Sequence, residues 1–120
     1  NGEATFGYIK DLDLKVGFGA DFWGDIPQQR VNSEAIAGRK KYFDNDMVLE
    51  QLFANNVILL EMTGERLPYT DGPLGVIKEG AYADILLVEG DPTKDVAVFA
   101  DWENKIDLVM KDGVIYRKAL

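Results

Sequence analysis

Asp21 is the carboxylate on which a functional reading of this sequence turns. It closes residues 14–21, where Leu14, Val16 and Phe18 fall on one side and small or polar residues on the other, the alternation of a strand. A carboxylate at the C-terminal end of a strand stands where α/β enzymes place their chemistry, whereas Gly-x-Asp before a loop is also an ordinary turn. On the residues alone the turn comes first. Two residues in the loop that follows offer substrate contacts: Trp23 can stack on or bury an apolar group, and Arg30 can hold a carboxylate by bidentate pairing. Packing for Trp23 and a solvated position for Arg30 are the plain alternatives. Asp25 lies four residues after Asp21 in an irregular stretch, a spacing that defines no carboxylate pair.

Composition narrows what the rest of the chain can do. The 120 residues contain no histidine and no cysteine, so His-based acid–base catalysis, thiolate chemistry, a disulfide framework and the commonest transition-metal ligand are all excluded from them. A net charge of −8, from 21 acidic against 13 basic residues, opposes contact with phosphates, and nucleic acid is not an expected partner. No Walker-type phosphate loop is present. No apolar stretch approaches the roughly 18 residues of a membrane span, so no membrane partner is expected and a cytoplasmic location is the default. The chain begins at Asn1 without an initiator Met. An N-terminal portion, with any targeting signal, is expected to precede it.

Several elements must position these residues. Phe6 and Ile9 at helical spacing make residues 3–10 the tail of a helix, with 11–13 as a connector. Two glycines, Gly17 and Gly19, weaken the strand over 14–21 unless another backbone or a ligand approaches closely there. Residues 33–43 read as a helix with Ser33 as its N-cap and the basic residues Arg39, Lys40 and Lys41 as a solvated C-terminal end. Asp44, Asn45 or Asp46 caps the next helix, whose apolar face carries Met47, Val48, Leu49, Leu52, Phe53 and Ala54. Asn55 and Asn56 are expected to interrupt it before an apolar continuation to Gly64. A loop over 65–72, with Pro68 and Gly72, is the best domain boundary. Val96 to Phe99 is a short apolar piece, strand or buried turn. Alternation over 106–111, Asp112-Gly113 and a return over 114–117 predict a hairpin.

The segment 74–92 organises the whole. Ile85, Leu86, Leu87 and Val88 form a continuous apolar run bounded by Gly80 and by Gly90-Asp91-Pro92, the pattern of a strand covered on both faces. Asp84 precedes it, placed to accept backbone N–H groups from the 78–82 turn, which makes its expected role structural. Leu74, Gly75, Ile77, Gly80, Ala83, Asp84, Gly90, Asp91 and Pro92 together resemble the C-terminal signature of the metal-dependent amidohydrolase superfamily. Within it, the sequence is most similar to imidazolonepropionase-like and Xaa-Pro or Xaa-Arg dipeptidase-like members.

The resemblance carries its own expectations. A complete (β/α)8 barrel needs about 250 residues, so the fold it implies is α/β: residues 1–70 as the last strand and helices of a TIM barrel, and 71–120 as strands of a small composite β-sandwich domain. Gly19-Ala20-Asp21 then matches the strand-eight motif, with Ala20 in place of the usual hydroxyl residue. Its aspartate binds the catalytic metal, usually zinc, and acts as general base toward the attacking water. The histidine ligands lie on earlier strands. The implied full-length protein hydrolyses a carbon–nitrogen bond in a small-molecule or dipeptide-like substrate, with Trp23 and Arg30 on the substrate wall. The isolated 120 residues are expected to be inactive, to bind no metal and to form a homo-oligomer. A non-catalytic α/β module for binding or assembly is the alternative.

Overall fold

Phe6 and Ile9 lie on one stripe of helix α1 (Gly2–Asp11) in a computed structural model that describes residues 2–19 and 30–120. Ile9 is buried, while the Phe6 ring lies against Tyr42 at 4.4 Å and meets Phe43 edge-on at 5.3 Å. The expected helix is therefore present and packed. Helix α2 (Arg30–Gly38) starts before Ser33, so Ser33 does not cap it, and the chain tightens at once into a 3-10 turn over Arg39–Lys41. Asp44 caps α3 (Asn45–Leu52), its carboxylate accepting from the Met47 amide at 2.9 Å. The break before α4 (Ala54–Glu61) falls at Phe53, with φ −113° and ψ −81°, and not at Asn55-Asn56, which lie in the first turn of α4.

Downstream, the Val96–Phe99 piece is a 3-10 turn, capped by Asp95, whose side chain accepts from the Ala97 amide at 2.9 Å. A single turn of helix, α5 (Trp102–Lys105), leads into the sheet. Strands β1 (Ile85–Val88), β2 (Ile106–Lys111) and β3 (Val114–Lys118) form an antiparallel sheet in the order β1-β2-β3. The hairpin is as expected: Lys111 pairs with Val114, and Asp112 and Gly113 have φ of +49° and +76°, the two positive values of a type I′ turn. The fold is α/β, with helices and a three-stranded sheet.

One expectation about the sheet is corrected. Ile85, Leu86 and Leu87 are 37%, 44% and 46% exposed, so β1 is not covered on both faces. The cause is its position. β1 lies beside the buried core, with only Val88 packed on it, and among the described residues no helix layer packs closely over its other apolar side chains.

The buried core sits elsewhere, where the Val96–Phe99 turn packs against α2 and α3. Ile9, Phe43 and Val48 from the first half meet Val96 and Phe99 from the second. Val48 and Val96 are completely buried, and full burial of such a side chain is worth about 1.5–3 kcal/mol. Polar contacts rim this junction: Lys40 Nζ pairs with Asp95 Oδ1 at 2.6 Å, and the Asn45 side chain accepts from the Val96 amide at 3.3 Å and donates to the Lys94 carbonyl.

The hairpin supplies a clean stability test. A Cβ at Gly113 meets no atom within 4 Å, so Gly113→Val introduces backbone strain without a packing clash. Unfolding free energy should fall by about 1–3 kcal/mol, read as a lower urea midpoint. An unchanged midpoint would contradict the type I′ turn.

Candidate functional site

Asp21 and Trp23 lie outside the described residues, as do Ala20 and Asp25. Arg30 opens helix α2, and its side chain is also outside them. The structure does describe the residues that precede Asp21, 14–19, and their pairing differs from that of the expected strand. These residues belong to no β-ladder among the described residues. Their polar edge is taken by amide groups: Asn55 Nδ2 donates to the Val16 carbonyl at 3.0 Å, and Asn56 Nδ2 donates to the Phe18 carbonyl at 3.1 Å. In return the Phe18 N–H donates to Asn56 Oδ1 at 3.0 Å and to the Gln51 carbonyl at 3.1 Å. A backbone that lacks a strand neighbour must still satisfy its N–H and C=O groups, and the Asn56 amide does so with the same donor–acceptor pair a strand residue offers.

The sequence supports this geometry at Gly17. A Cβ there would overlap Asn56 Oδ1 and Leu59 Cδ1, so only glycine lets the segment lie this close to α4. The expectation that a glycine marks close approach holds at Gly17, with helix side chains as the approaching group; among the described residues nothing lies within 4 Å of a Cβ at Gly19.

Arg39 is also misplaced by the solvated-end reading. Its guanidinium lies 5.1 Å from the Phe18 ring centroid, 5.5 Å from Phe6 and 6.0 Å from Phe43, and Nη1 donates to Gln51 Oε1 at 3.3 Å. Burial draws its pKa below the ordinary value. A planar cation over aromatic faces gains from partial desolvation, and here it braces the Phe18 side chain while Asn56 holds the Phe18 backbone. Lys40 and Lys41 do sit at the surface, the first paired with Asp95 and the second near Glu3 and Tyr42.

Asn55, Asn56, Gln51 and Arg39 are the residues sequence reasoning missed. The available signal was polarity inside an apolar helix pair: Gln51 and Asn55 are 2% and 7% exposed, and polar groups that deep are hydrogen-bonded almost without exception. Among the described residues no group of three or more Asp, Glu, His or Cys comes together to hold a metal ion. With no histidine in the sequence, a nitrogen-rich metal centre has no source here, and Asp21 could contribute at most one ligand side chain. Glu34 is exposed and lies beside Asp101 and Glu103.

Asp84 has the expected structural role with a different partner. It accepts from the Asp112 amide at 2.7 Å and from Lys111 Nζ at 2.9 and 3.1 Å, tying the entry of β1 to the hairpin turn. The 78–82 turn bonds within itself and to Pro73 instead. Lys111 also lies 4.7 Å from the Tyr69 ring, which meets Tyr82 edge-on. The open cleft they line, about 560 Å³, thus presents an ammonium already paired with a carboxylate.

No family model matches the sequence, and no curated protein matches it. Solved structures do. The chain is similar to a crystal structure of an amidohydrolase, with 29% identity and a TM-score of 0.81 over 99% of this chain and 26% of that one. It is also similar to a prolidase complexed with N-methylphosphonate-L-proline, with 25% identity and a TM-score of 0.79 over 98% of this chain and 26% of the prolidase. A further crystal structure of that protein gives 25% identity and a TM-score of 0.78. The chain spans about a quarter of the length of the structures it matches.

The Asp84 tie has a pH signature. The hydrogen bond from Lys111, followed by the Asp112 amide, holds the Asp84 carboxyl below the usual carboxylate range. Stability from this tie is fully present above the unfolded carboxyl value of about 3.9 and is lost as pH falls through the lower folded value. Asp84→Asn should therefore lower the Tm at pH 7, and the gap to the wild type should close below about pH 4. A gap as wide at pH 2 as at pH 7 would assign the effect to something other than this charge.

Proposed function

We propose that this chain, which resembles part of the amidohydrolases along nearly its whole length, is the C-terminal portion of a longer hydrolase of carbon–nitrogen bonds. The likeness to an amidohydrolase over 99% of the chain carries this reading, and the Leu74 to Pro92 signature agrees with it. In this proposal residues 1–70 are the last strand and trailing helices of a (β/α)8 barrel, and 71–120 complete a composite β-domain. The prolidase neighbour, solved with a proline derivative, favours a dipeptide-like amide over other carbon–nitrogen substrates.

Asp21 is the one residue of this chain placed in the chemistry. Its carboxylate takes the proton of the attacking water and later delivers it to the leaving amine, the work of a group that can both accept and return a proton. Trp23 and Arg30 line the substrate side, the first against an apolar group and the second against a carboxylate. The divalent metal that the resemblance implies, zinc above all, would draw only Asp21 from this sequence; its remaining ligands belong to the rest of the longer protein. Exposed apolar side chains support the same division. Ile58, Leu59 and Leu60 on α4, with Ile85, Leu86 and Leu87 on β1, form surface that the rest of the longer chain covers. Left uncovered, it drives self-association, and the isolated 120 residues should run as an oligomer in light scattering; a monomer across micromolar concentrations would contradict this.

The test of the function is Asp21→Asn in the full-length protein, with metal content measured beside the rate. An amide keeps the size of the carboxylate and cannot accept the proton, so kcat on dipeptide amides should fall by about 100-fold or more. Near-normal kcat in a metal-loaded variant would leave Asp21 as a turn residue.

A further inference from the structure

The geometry points to Asn56 as a positioning residue that fixes the backbone of Phe18, from which the chain runs on to Asp21, and this rests on the reading of Asp21 given above. Asn56 grips Phe18, three residues before Asp21 in sequence, by both of its backbone groups, at 3.0 and 3.1 Å. Its Nδ2 also donates to the Leu52 carbonyl at 3.2 Å, anchoring the side chain to the end of α3. Two independent features fit the same function. A Cβ at Gly17 would strike the Asn56 amide, and the Arg39 guanidinium lies over the Phe18 ring, 5.1 Å from its centroid.

The requirement for an amide is specific. Aspartate at 56 would still accept from the Phe18 N–H but could donate to neither carbonyl, and alanine would remove the partner of both carbonyls and leave the Phe18 N–H on the Gln51 carbonyl alone. Glutamine carries the right groups on a stem one carbon longer, against a segment already in contact. A residue this close to the backbone it orients acts on catalysis through placement, and displacing a reacting group by about 1 Å can cost about 100-fold in rate. Asn56 touches no substrate in this scheme. It holds the backbone of Phe18, three residues ahead of the proposed base.

Asn56→Asp in the full-length protein tests this, with amide hydrogen exchange and kinetics read together. At pH 7 exchange at Phe18 should accelerate while exchange across β2 and β3 stays as in the wild type, and kcat should drop about 10- to 100-fold with KM within about twofold. Lowering the pH should restore part of kcat relative to wild type, because a protonated carboxyl regains one O–H donor beside its acceptor and so recovers one of the amide's two donations. In an Asp21→Asn background, Asn56→Asp should change the residual kcat little, since a positioning residue has nothing left to position. Unaltered exchange at Phe18, or kcat losses that multiply in the double variant while Asp21→Asn alone is crippling, would overturn the positioning role and leave the reading of Asp21 intact. If Asp21→Asn alone is near normal, the premise fails, and the positioning role fails with it.

Discussion

Backbone polar groups drawn away from water have to be paired, and the half-buried stretch 16–18 meets that constraint at Val16 and Phe18 without a neighbouring strand among the described residues. Their partners are the Asn55 and Asn56 side chains and the Gln51 carbonyl, all from the α3–α4 pair. An unsatisfied buried peptide group costs about 1–3 kcal/mol, and Asn55 and Asn56 between them satisfy three. This exchange of side-chain amide for strand explains why polar residues occupy the interior of otherwise apolar helices. It also explains why Gly17 faces α4, and why Arg39 is drawn in beside Phe18.

A second constraint joins the halves of the chain. The sheet is too thinly covered to be a core, so burial concentrates where Val96 and Phe99 insert among Ile9, Phe43 and Val48. Those contacts span some fifty residues of sequence, and the polar rim of Lys40, Asp95 and Asn45 fixes their orientation. Helices and sheet are thus held by a short 3-10 turn whose apolar side chains the sequence shows only as four residues between charged neighbours.

What could be read from the sequence divides along the range of the interactions. The hairpin, the Asp44 cap and helix α1 are local, and turn chemistry, capping preference and apolar spacing report such features directly. Apart from the Ser33 cap and the place of the α3–α4 break, the failures are non-local. Alternation over 14–21 predicts a strand, but over the described residues 14–19 it cannot say whether a strand or an asparagine will pair with the backbone. The apolar run of β1 shows what would be buried if a second layer were present. Arg39 looks like a helix-end cation because its three aromatic neighbours come from three separate segments. Asp84 found its N–H donor 28 residues away rather than in the adjacent turn.

Helix α4 connects the candidate site to the signature. On one side Gly17 brings residues 14–19 against Asn56 and Leu59; on another Gly75 brings the signature against Val57, where a Cβ would come within 2.8 Å of its side chain. Gly75 also has φ of +67°, so the chain turns there in a conformation that side chains resist. Two glycines nearly sixty residues apart thus let two segments close on the same two-turn helix. The signature is then more than the start of a sheet. By packing on Val57 it fixes the helix whose next residue toward the N-terminus, Asn56, holds Phe18, and the strength of that hold depends on α4 being unable to shift. A motif remote in sequence from Asp21 is in this way only one helix removed from the segment that leads to it.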